Sequence, residues 1–199
     1  MPNTEFERIK TEHTKLGRSG IKAVAMRERE PGFEHETNDC FVKAIQAVAG
    51  VPYRDAHAYV AKRFGRKPKG ATHNVNSTTR EIARTGETVF GYRAFCQPVT
   101  AVGTASRVSV NSYGQLMRYV RPRYATLAQF TRTHRTGRWL LWSNNHAFAM
   151  IDGVVYDNGA AGARTQVTGV YEFKASSEVE TQEKISASVA HLAVNQGGF

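Results

Sequence analysis

The chain has 199 residues, of which 41% are hydrophobic and 22% are charged. This length and ordinary globular composition predict one domain with a small extension, and enough apolar residues for a core. No run of eighteen apolar residues occurs, so we expect no membrane-spanning helix. Residues 1–8 are too polar for a secretory signal, so we expect no export by that route.

The net charge is +10. Screened electrostatics alone can hold such a protein near nucleic acid or acidic proteins. A soluble basic surface is the plainer alternative, because no known nucleic-acid motif accompanies the charge. Cys40 and Cys96 are the two cysteines, which is too few for a disulfide framework and favours a reducing, cytoplasmic compartment.

Residues 1–32 are interpreted as a polar N-terminal extension. A short helix is predicted from Thr4 to about Lys15, followed by an edge strand over the apolar run Ile21–Met26. Pro31 and Gly32 then interrupt regular structure.

Two helices are predicted next. The first begins at Asn38-Asp39, carries a wide apolar face and ends at Gly50. The second begins at Pro52, since proline is tolerated in a first helical turn, and runs to Gly65. The basic loop Arg66–Gly70 follows. The basic stretch Arg63–Lys69 is predicted to be a solvated connection, and docking of an acidic substrate or nucleic acid is the alternative.

The middle of the chain is less regular. A short helix is predicted over Ser77–Thr85, capped by Asn76 or Ser77 and ended by Gly86. Val89–Phe95 is predicted to be a strand and Tyr113–Val120 a helix.

The C-terminal half has clearer signals, above all an Asp-Gly pair between two apolar runs, which is typical of a β-hairpin. The predicted elements are a short helix capped by Thr126, strands at Trp139–Trp142, His146–Ile151, Val154–Asp157 and Gly169–Phe173, and a helix over Glu178–Ala193. Helices come first and an antiparallel sheet follows, which predicts an α+β fold. We divide the chain into the extension 1–32, a catalytic domain 33–174 and a helical tail 175–199.

Cys40 lies in the first turn of the first confident helix. Unpaired backbone N–H groups and the helix dipole favour a thiolate there, and the thiolate is the nucleophilic form. A buried structural cysteine is the alternative.

His146 begins a strand whose following residues are apolar or small. With Asp152-Gly153 as a two-residue turn, Ile151 pairs with Val154, and Asp157 lies diagonally across from His146 on the same face. A three-residue turn would shift the strand register by one residue, so that Asn158 instead of Asp157 would lie on the face of His146. Either residue could orient the imidazole.

The order of these motifs resembles that of papain-like cysteine peptidases. The motifs are Asn-Asp-Cys-Phe-Val-Lys-Ala-Ile from residue 38 and Asn-His-Ala-Phe-Ala-Met-Ile-Asp-Gly-Val-Val-Tyr-Asp from residue 145. The chain is especially similar to short bacteriophage proteins with the same Cys helix, Pro-Tyr helix, basic loop and Thr-Leu-x-x-Phe helix, over roughly residues 36–174. The resemblance implies a papain-like fold with a catalytic triad of Cys40, His146 and Asp157.

The chain departs from that family at the oxyanion donor. Glu34 stands where papain has a glutamine, and Thr37 stands where ovarian-tumour deubiquitinases have an aspartate. Asn38 or His35 could replace the missing side chain, with the backbone N–H of Cys40 as the second donor. Capping the helix is an alternative role for Asn38.

The sequence therefore predicts a thiol acyl-transfer hydrolase acting on a peptide, isopeptide or other amide bond, with no cofactor, no metal and no membrane partner. Deamidation and transglutamination remain open, because they use the same residue types. The alternative is an inactive papain-like fold that binds a host factor or, weakly, nucleic acid through its basic surface. We interpret Cys96 as structural.

Overall fold

A computed structural model describes residues 13–16, 21–26, 30–72, 75–110, 112–159 and 161–196. Within these ranges the chain forms five helices and ten strands, and the fold is α+β. The helices are α1 Cys40–Ala49, α2 Tyr53–Phe64, α3 Val75–Thr85, α4 Leu127–Thr133 and α5 Ser176–Gln196. The strands are β1 His13–Leu16, β2 Ile21–Ala25, β3 Thr88–Val89, β4 Tyr92–Gln97, β5 Gly103–Val110, β6 Leu116–Arg123, β7 Arg138–Ser143, β8 His146–Ile151, β9 Val154–Asp157 and β10 Gly169–Ala175.

Eight strands form one sheet in the order β1-β2-β9-β8-β7-β10-β4-β3. Neighbouring strands are antiparallel except β2 and β9, which are parallel. Strands β5 and β6 form a separate two-stranded sheet. The largest sheet is therefore mostly antiparallel, and its centre is built from the C-terminal strands.

The sheet has an apolar layer on each face, because alternate residues of a strand point to opposite sides. Leu140 and Trp142 of β7 join the cluster that contains the buried side chains of α1 and α2. Trp139 and Leu141 join a second cluster, which includes Leu127 of α4. The side chains of α1 are almost all buried, and α1 packs on β8. This contact brings the start of α1 to the start of β8.

Most predicted elements are confirmed, with boundaries that differ by one or two residues at the helices α1, α2 and α4. Thr126 caps α4 through a reciprocal pair of hydrogen bonds with Gln129. Helix α3 begins at Val75, two residues before the predicted start. Its start follows residues 73 and 74, which lie outside the described residues.

The predictions for the N-terminal region were partly wrong. His13–Leu16 is a strand where the predicted helix was to end, and residues 4–12 of that helix lie outside the described residues. Ile21–Ala25 is a strand but not an edge, since it pairs with β1 on one side and β9 on the other. Ile21, Ala23 and Val24 are buried as a result.

Two predictions for the middle of the chain were also wrong. The strand over Val89–Phe95 is interrupted by a turn at Phe90 and Gly91, both of which have a positive φ, at 49° and 84°. The predicted helix Tyr113–Val120 is instead part of β6 and the turn before it. Pairing with β5 supplies hydrogen-bond partners for the backbone of β6. A non-local partner therefore determines the conformation of this segment.

Among the described residues, no helix is both long and apolar enough to cross a membrane.

Candidate active site

Three side chains from three elements meet where α1 begins. Cys40 is the first residue of α1, His146 the first of β8 and Asp157 the last of β9. Cys40 and His146 line the same cavity, and each shifts the pKa of the other, so their side chains lie close together. The predicted meeting of Cys40 with His146 is thus present in the geometry.

The His146 imidazole also contacts the Asp157 carboxylate, with 2.5 Å between Nε2 and Oδ1. Ile151 pairs with Val154, so the intervening turn has two residues, as predicted. Since Nε2 faces Asp157, Nδ1 is the ring nitrogen left for the thiol. The residues therefore form a chain from thiol to imidazole to carboxylate.

Asp157 is held in place by its own backbone surroundings. It is only 6% exposed, and its Oδ2 accepts hydrogen bonds from the backbone N–H groups of Gly159, at 3.0 Å, and Ala161, at 2.6 Å. Burial would raise the pKa of this carboxyl, but the hydrogen bonds from His146 and from backbone N–H groups outweigh it and lower the pKa. Asp157 is therefore a fixed negative charge behind the ring.

The pKa values of Cys40 and His146 move in opposite directions. Burial alone would raise the pKa of the Cys40 thiol, but hydrogen bonds from His146 and the backbone N–H groups of Ala147 and Phe41 lower it. Burial alone would lower the pKa of His146, but the hydrogen bonds and negative charges of Asp157 and Cys40 raise it to about 9. Both shifts favour a thiolate–imidazolium pair.

A cavity of about 800 Å³ opens onto this pair. Its lining contains no Lys, Arg, Asp or Glu among the described residues, and four asparagines contribute to it. The lining residues are Asn38, Cys40, Phe41, Ala71, Thr72, Val75, Ser77, Trp142, Asn144, Asn145, His146 and Asn158.

Two polar atoms in this lining have no hydrogen-bond partner within the described part of the chain. They are Thr72 Oγ1 and Trp142 Nε1, and both atoms are buried. Trp142 is otherwise packed in the core, where its ring stacks on Phe41 with centroids 5.5 Å apart. Unsatisfied buried polar groups are costly, so these two atoms lower the stability of the cavity wall.

Arg66 fixes residues 36–38, the segment that leads to Cys40. The sequence had predicted Arg66 to be part of a solvated loop. Arg66 is 4% exposed. Its guanidinium donates to the Glu36 carboxylate at 2.6 Å, to the Thr37 carbonyl at 2.9 Å and to the Asn38 carbonyl at 3.2 Å. It also contacts the carbonyl of Gly70. That prediction was wrong for Arg66, because the fixed fork of a guanidinium can satisfy several acceptors at once.

The two oxyanion candidates lie in different places. Asn38 lines the cavity and has a left-handed backbone, with φ of 52°. It does not cap α1, because the residue at the cap position is Asp39. His35 is exposed and lies outside the cavity lining. Asn38 is therefore the better placed of the two.

The remaining candidates are also located. Asn158 lines the cavity, while Asp157 is the residue that contacts the ring of His146. Glu34 is exposed and accepts a hydrogen bond from the backbone N–H of Gly32. Cys96 is an exposed free thiol on β4. No group of three metal-ligating side chains occurs within the ranges that the structure describes.

Comparison with known proteins gives no guide, since no family model, curated protein or solved structure matches the chain. The function proposed below therefore depends on the geometry and chemistry of the residues themselves.

Proposed function

We propose that the protein is a cysteine-dependent acyl-transfer hydrolase on a papain-like fold, with Cys40 as nucleophile, His146 as proton carrier and Asp157 as the residue that orients His146. The observation that carries this proposal is the meeting of the three side chains beside an open cavity, with His146 Nε2 2.5 Å from Asp157 Oδ1 and Cys40 beside His146 in the cavity lining. The order of a cysteine helix, a histidine strand and an acidic strand supports the papain-like assignment.

In the first half-reaction the Cys40 thiolate attacks the substrate carbonyl carbon and forms a C–S bond. The imidazolium of His146 gives its proton to the leaving nitrogen as the C–N bond breaks, which releases an amine and leaves a thioester. In the second half-reaction neutral His146 takes a proton from water, whose oxygen attacks the thioester carbon. The products are a carboxylic acid and the regenerated thiolate–imidazolium pair.

The developing oxyanion requires donors near Cys40. The backbone N–H of Cys40 lies at the start of α1, where helical N–H groups have no partner within the helix. The Asn38 side chain lines the same cavity. We assign these two groups as the oxyanion donors, in place of the glutamine that papain-like enzymes carry at the position of Glu34.

Apart from the Cys40–His146 pair, the described lining of the cavity has no charged side chain, which favours a neutral acyl group in a peptide, isopeptide or side-chain amide of a protein from a phage or its host. A thiol nucleophile must stay reduced, so we place the protein in a reducing cytoplasm. The mechanism needs no cofactor. Hydrolysis of an amide side chain or transfer to a second amine would use the same acyl-enzyme.

Reaction with p-nitrophenyl acetate tests the proposal without knowledge of the substrate. We expect a burst of about one nitrophenolate per chain and an acetyl group on Cys40, detected by peptide mass spectrometry. Cys96→Ser should leave the burst intact, because no histidine of the described part of the chain contacts Cys96. Cys40→Ser should abolish the burst, and His146→Ala should slow it strongly.

Acetylation of Cys40 no faster than acetylation of Cys96 would contradict the proposal. It would favour the alternative in which the site is inactive and the protein acts as a binding module. That alternative draws support from Glu34, whose exposed side chain does not supply the donor found at this position in papain.

A further inference from the structure

The strands β5 and β6 form a hairpin that is separate from the main sheet, and we call its described residues, 102–110 and 112–123, the arm. Eight residue pairs connect its strands, from Gly103–Arg123 to Val110–Leu116. At about 3.4 Å per residue, the ribbon is roughly 27 Å long. Its base is fixed by a 2.7 Å hydrogen bond from the Val102 N–H to the Arg123 carbonyl.

Where burial is described, the residues of the arm are all exposed except Ser109, which is half-buried. Every residue of β6 is exposed, including Leu116 at 75% and Val120 at 61%. A two-stranded ribbon without further packing is marginally stable in water. Exposed apolar residues arranged on such a ribbon are typical of a surface that binds a partner.

The register gives the arm two different faces. Residues of β6 with odd numbers share one face, which carries Met117, Tyr119, Arg121 and Arg123. The opposite face is mostly apolar, with Val108, Val110, Leu116, Val120 and Pro122, although Arg118 lies opposite Val108. The first face is basic and aromatic, and the second could pack against an apolar wall.

The charged residues of the arm all have one sign. The sequence of the arm contains four arginines, no lysine and no acidic residue, whereas the rest of the chain has fourteen arginines and nine lysines. Arginine is the residue best suited to phosphate, because its guanidinium makes paired hydrogen bonds with phosphate oxygens. This bias points to a phosphate-bearing partner rather than to general solubility.

We propose that the arm binds double-stranded DNA. A two-stranded β-ribbon has the width that the major groove of B-form DNA accepts. Arg121 and Arg123, on the same face as Tyr119, contact the phosphate backbone. Phosphate contacts of this kind carry no sequence information, so binding is independent of sequence. An acidic protein would satisfy the arginines but gives no reason for the absence of lysine.

Fluorescence anisotropy with a short random-sequence DNA duplex, measured between about 50 and 200 mM salt, tests this proposal. The double variant Arg121→Gln and Arg123→Gln should raise Kd at least about tenfold at the lower salt concentration. It should also reduce the slope of log K against log salt by about 1.8, since each phosphate contact contributes about 0.9.

The matched control is Arg132→Gln with Arg135→Gln, which removes the same charge from exposed positions in and after α4. Its effect on log Kd should be less than one third of the effect of Arg121→Gln with Arg123→Gln. Circular dichroism and thermal melting establish that both double variants are folded.

Three results would overturn the proposal. The first is no binding of wild type at the lowest salt concentration, and the second is equal weakening by the two double variants, which would indicate net charge alone. The third is a dimeric wild type in a sedimentation experiment, together with a monomeric double variant Val108→Ser and Val120→Ser whose DNA affinity is unchanged. The arm would then bind a second copy of the chain. None of these results affects the acylation of Cys40, so the two proposals fail independently.

Discussion

His146 and Asp157 lie eleven residues apart in the sequence, and 2.5 Å separates His146 Nε2 from Asp157 Oδ1. The two-residue turn at Asp152-Gly153 produces this contact, because it places both side chains on one face of the hairpin. A fixed carboxylate behind the ring stabilises the imidazolium, and the pKa of His146 is raised to about 9. The histidine therefore carries its proton across the neutral range, in which the leaving amine must be protonated.

Asp157→Asn should change the pH dependence of the proposed hydrolase. A raised histidine pKa keeps the imidazolium available as pH rises, until it is lost near about 9. Without the carboxylate the pKa should fall toward its ordinary value of 6.5. We expect the alkaline limb of kcat/KM for an amide substrate to move down by about two pH units, with a rate loss of at least tenfold at pH 8.

Asp152→Asn is the matched control for this experiment. It removes the same charge from the same hairpin, at an exposed side chain that accepts a hydrogen bond from the Gly137 N–H. Its pH profile should match that of wild type. An alkaline limb that stays near 9 in Asp157→Asn would show that Asp157 does not set the protonation of His146.

Local signals in the sequence predicted the part of the site that depends on short-range geometry. The position of Cys40 follows from a helix start, and the facing of His146 and Asp157 follows from turn length and strand parity. The contact between Arg66 and Glu36 spans thirty residues and has no periodic signal, so it was missed. The arm was missed because its pairing partners, and not its local propensity, determine that β6 is a strand.

Arg66→Ala should strongly destabilise the protein. The Arg66 side chain is fully buried and pairs with the nearly buried Glu36 carboxylate. Its loss leaves that carboxylate without its guanidinium partner and leaves free carbonyls before Cys40. We expect a loss of about 3–5 kcal/mol in the free energy of unfolding, measured by urea denaturation. Lys67→Ala, at an exposed position of the same loop, should stay within about 0.5 kcal/mol of wild type. A loss below about 1 kcal/mol for Arg66→Ala would contradict this account.

Glu30→Ala should destabilise α2. This helix has Pro52 at its cap position and no capping side chain there. The Glu30 carboxylate supplies the missing acceptor, because it receives the Tyr53 N–H at 2.6 Å and the Arg54 Nε–H at 2.9 Å. We expect a cost of about 1–3 kcal/mol, since a buried N–H loses its partner at the positive end of the helix.

Glu34→Ala provides the comparison for Glu30→Ala, because Glu34 is an exposed carboxylate four residues away. Its effect on the urea midpoint should be small. Equal midpoints for the two variants would mean that the Glu30 contact contributes no stability.

The Glu30 contact also bears on the predicted domain boundary at residue 33. A fragment beginning there would lack both Glu30 and the buried strand β2, so we expect it to be less stable than the full chain.

Asn38 and Asn144 offer a matched pair for testing the oxyanion donor. Both line the cavity, and both have a left-handed backbone, with φ of 52° and 49°. Glycine adopts this conformation without steric cost, so Asn38→Gly and Asn144→Gly remove an amide side chain without adding backbone strain. Only Asn38 lies two residues before the nucleophile, on the segment that Arg66 holds through its carbonyl.

Asn38→Gly should lower the rate of Cys40 acylation by about 10²–10³-fold, the usual effect of removing one oxyanion donor. Alkylation of Cys40 by iodoacetamide should be unchanged in the same variant, because that reaction forms no oxyanion and depends on the thiolate alone. Asn144→Gly should leave both rates near those of wild type. A parallel loss of alkylation and acylation in Asn38→Gly would show that the side chain supports the thiolate and not the oxyanion. If Asn38→Gly keeps full acylation activity, the backbone N–H groups at the start of α1 stabilise the oxyanion without the Asn38 side chain.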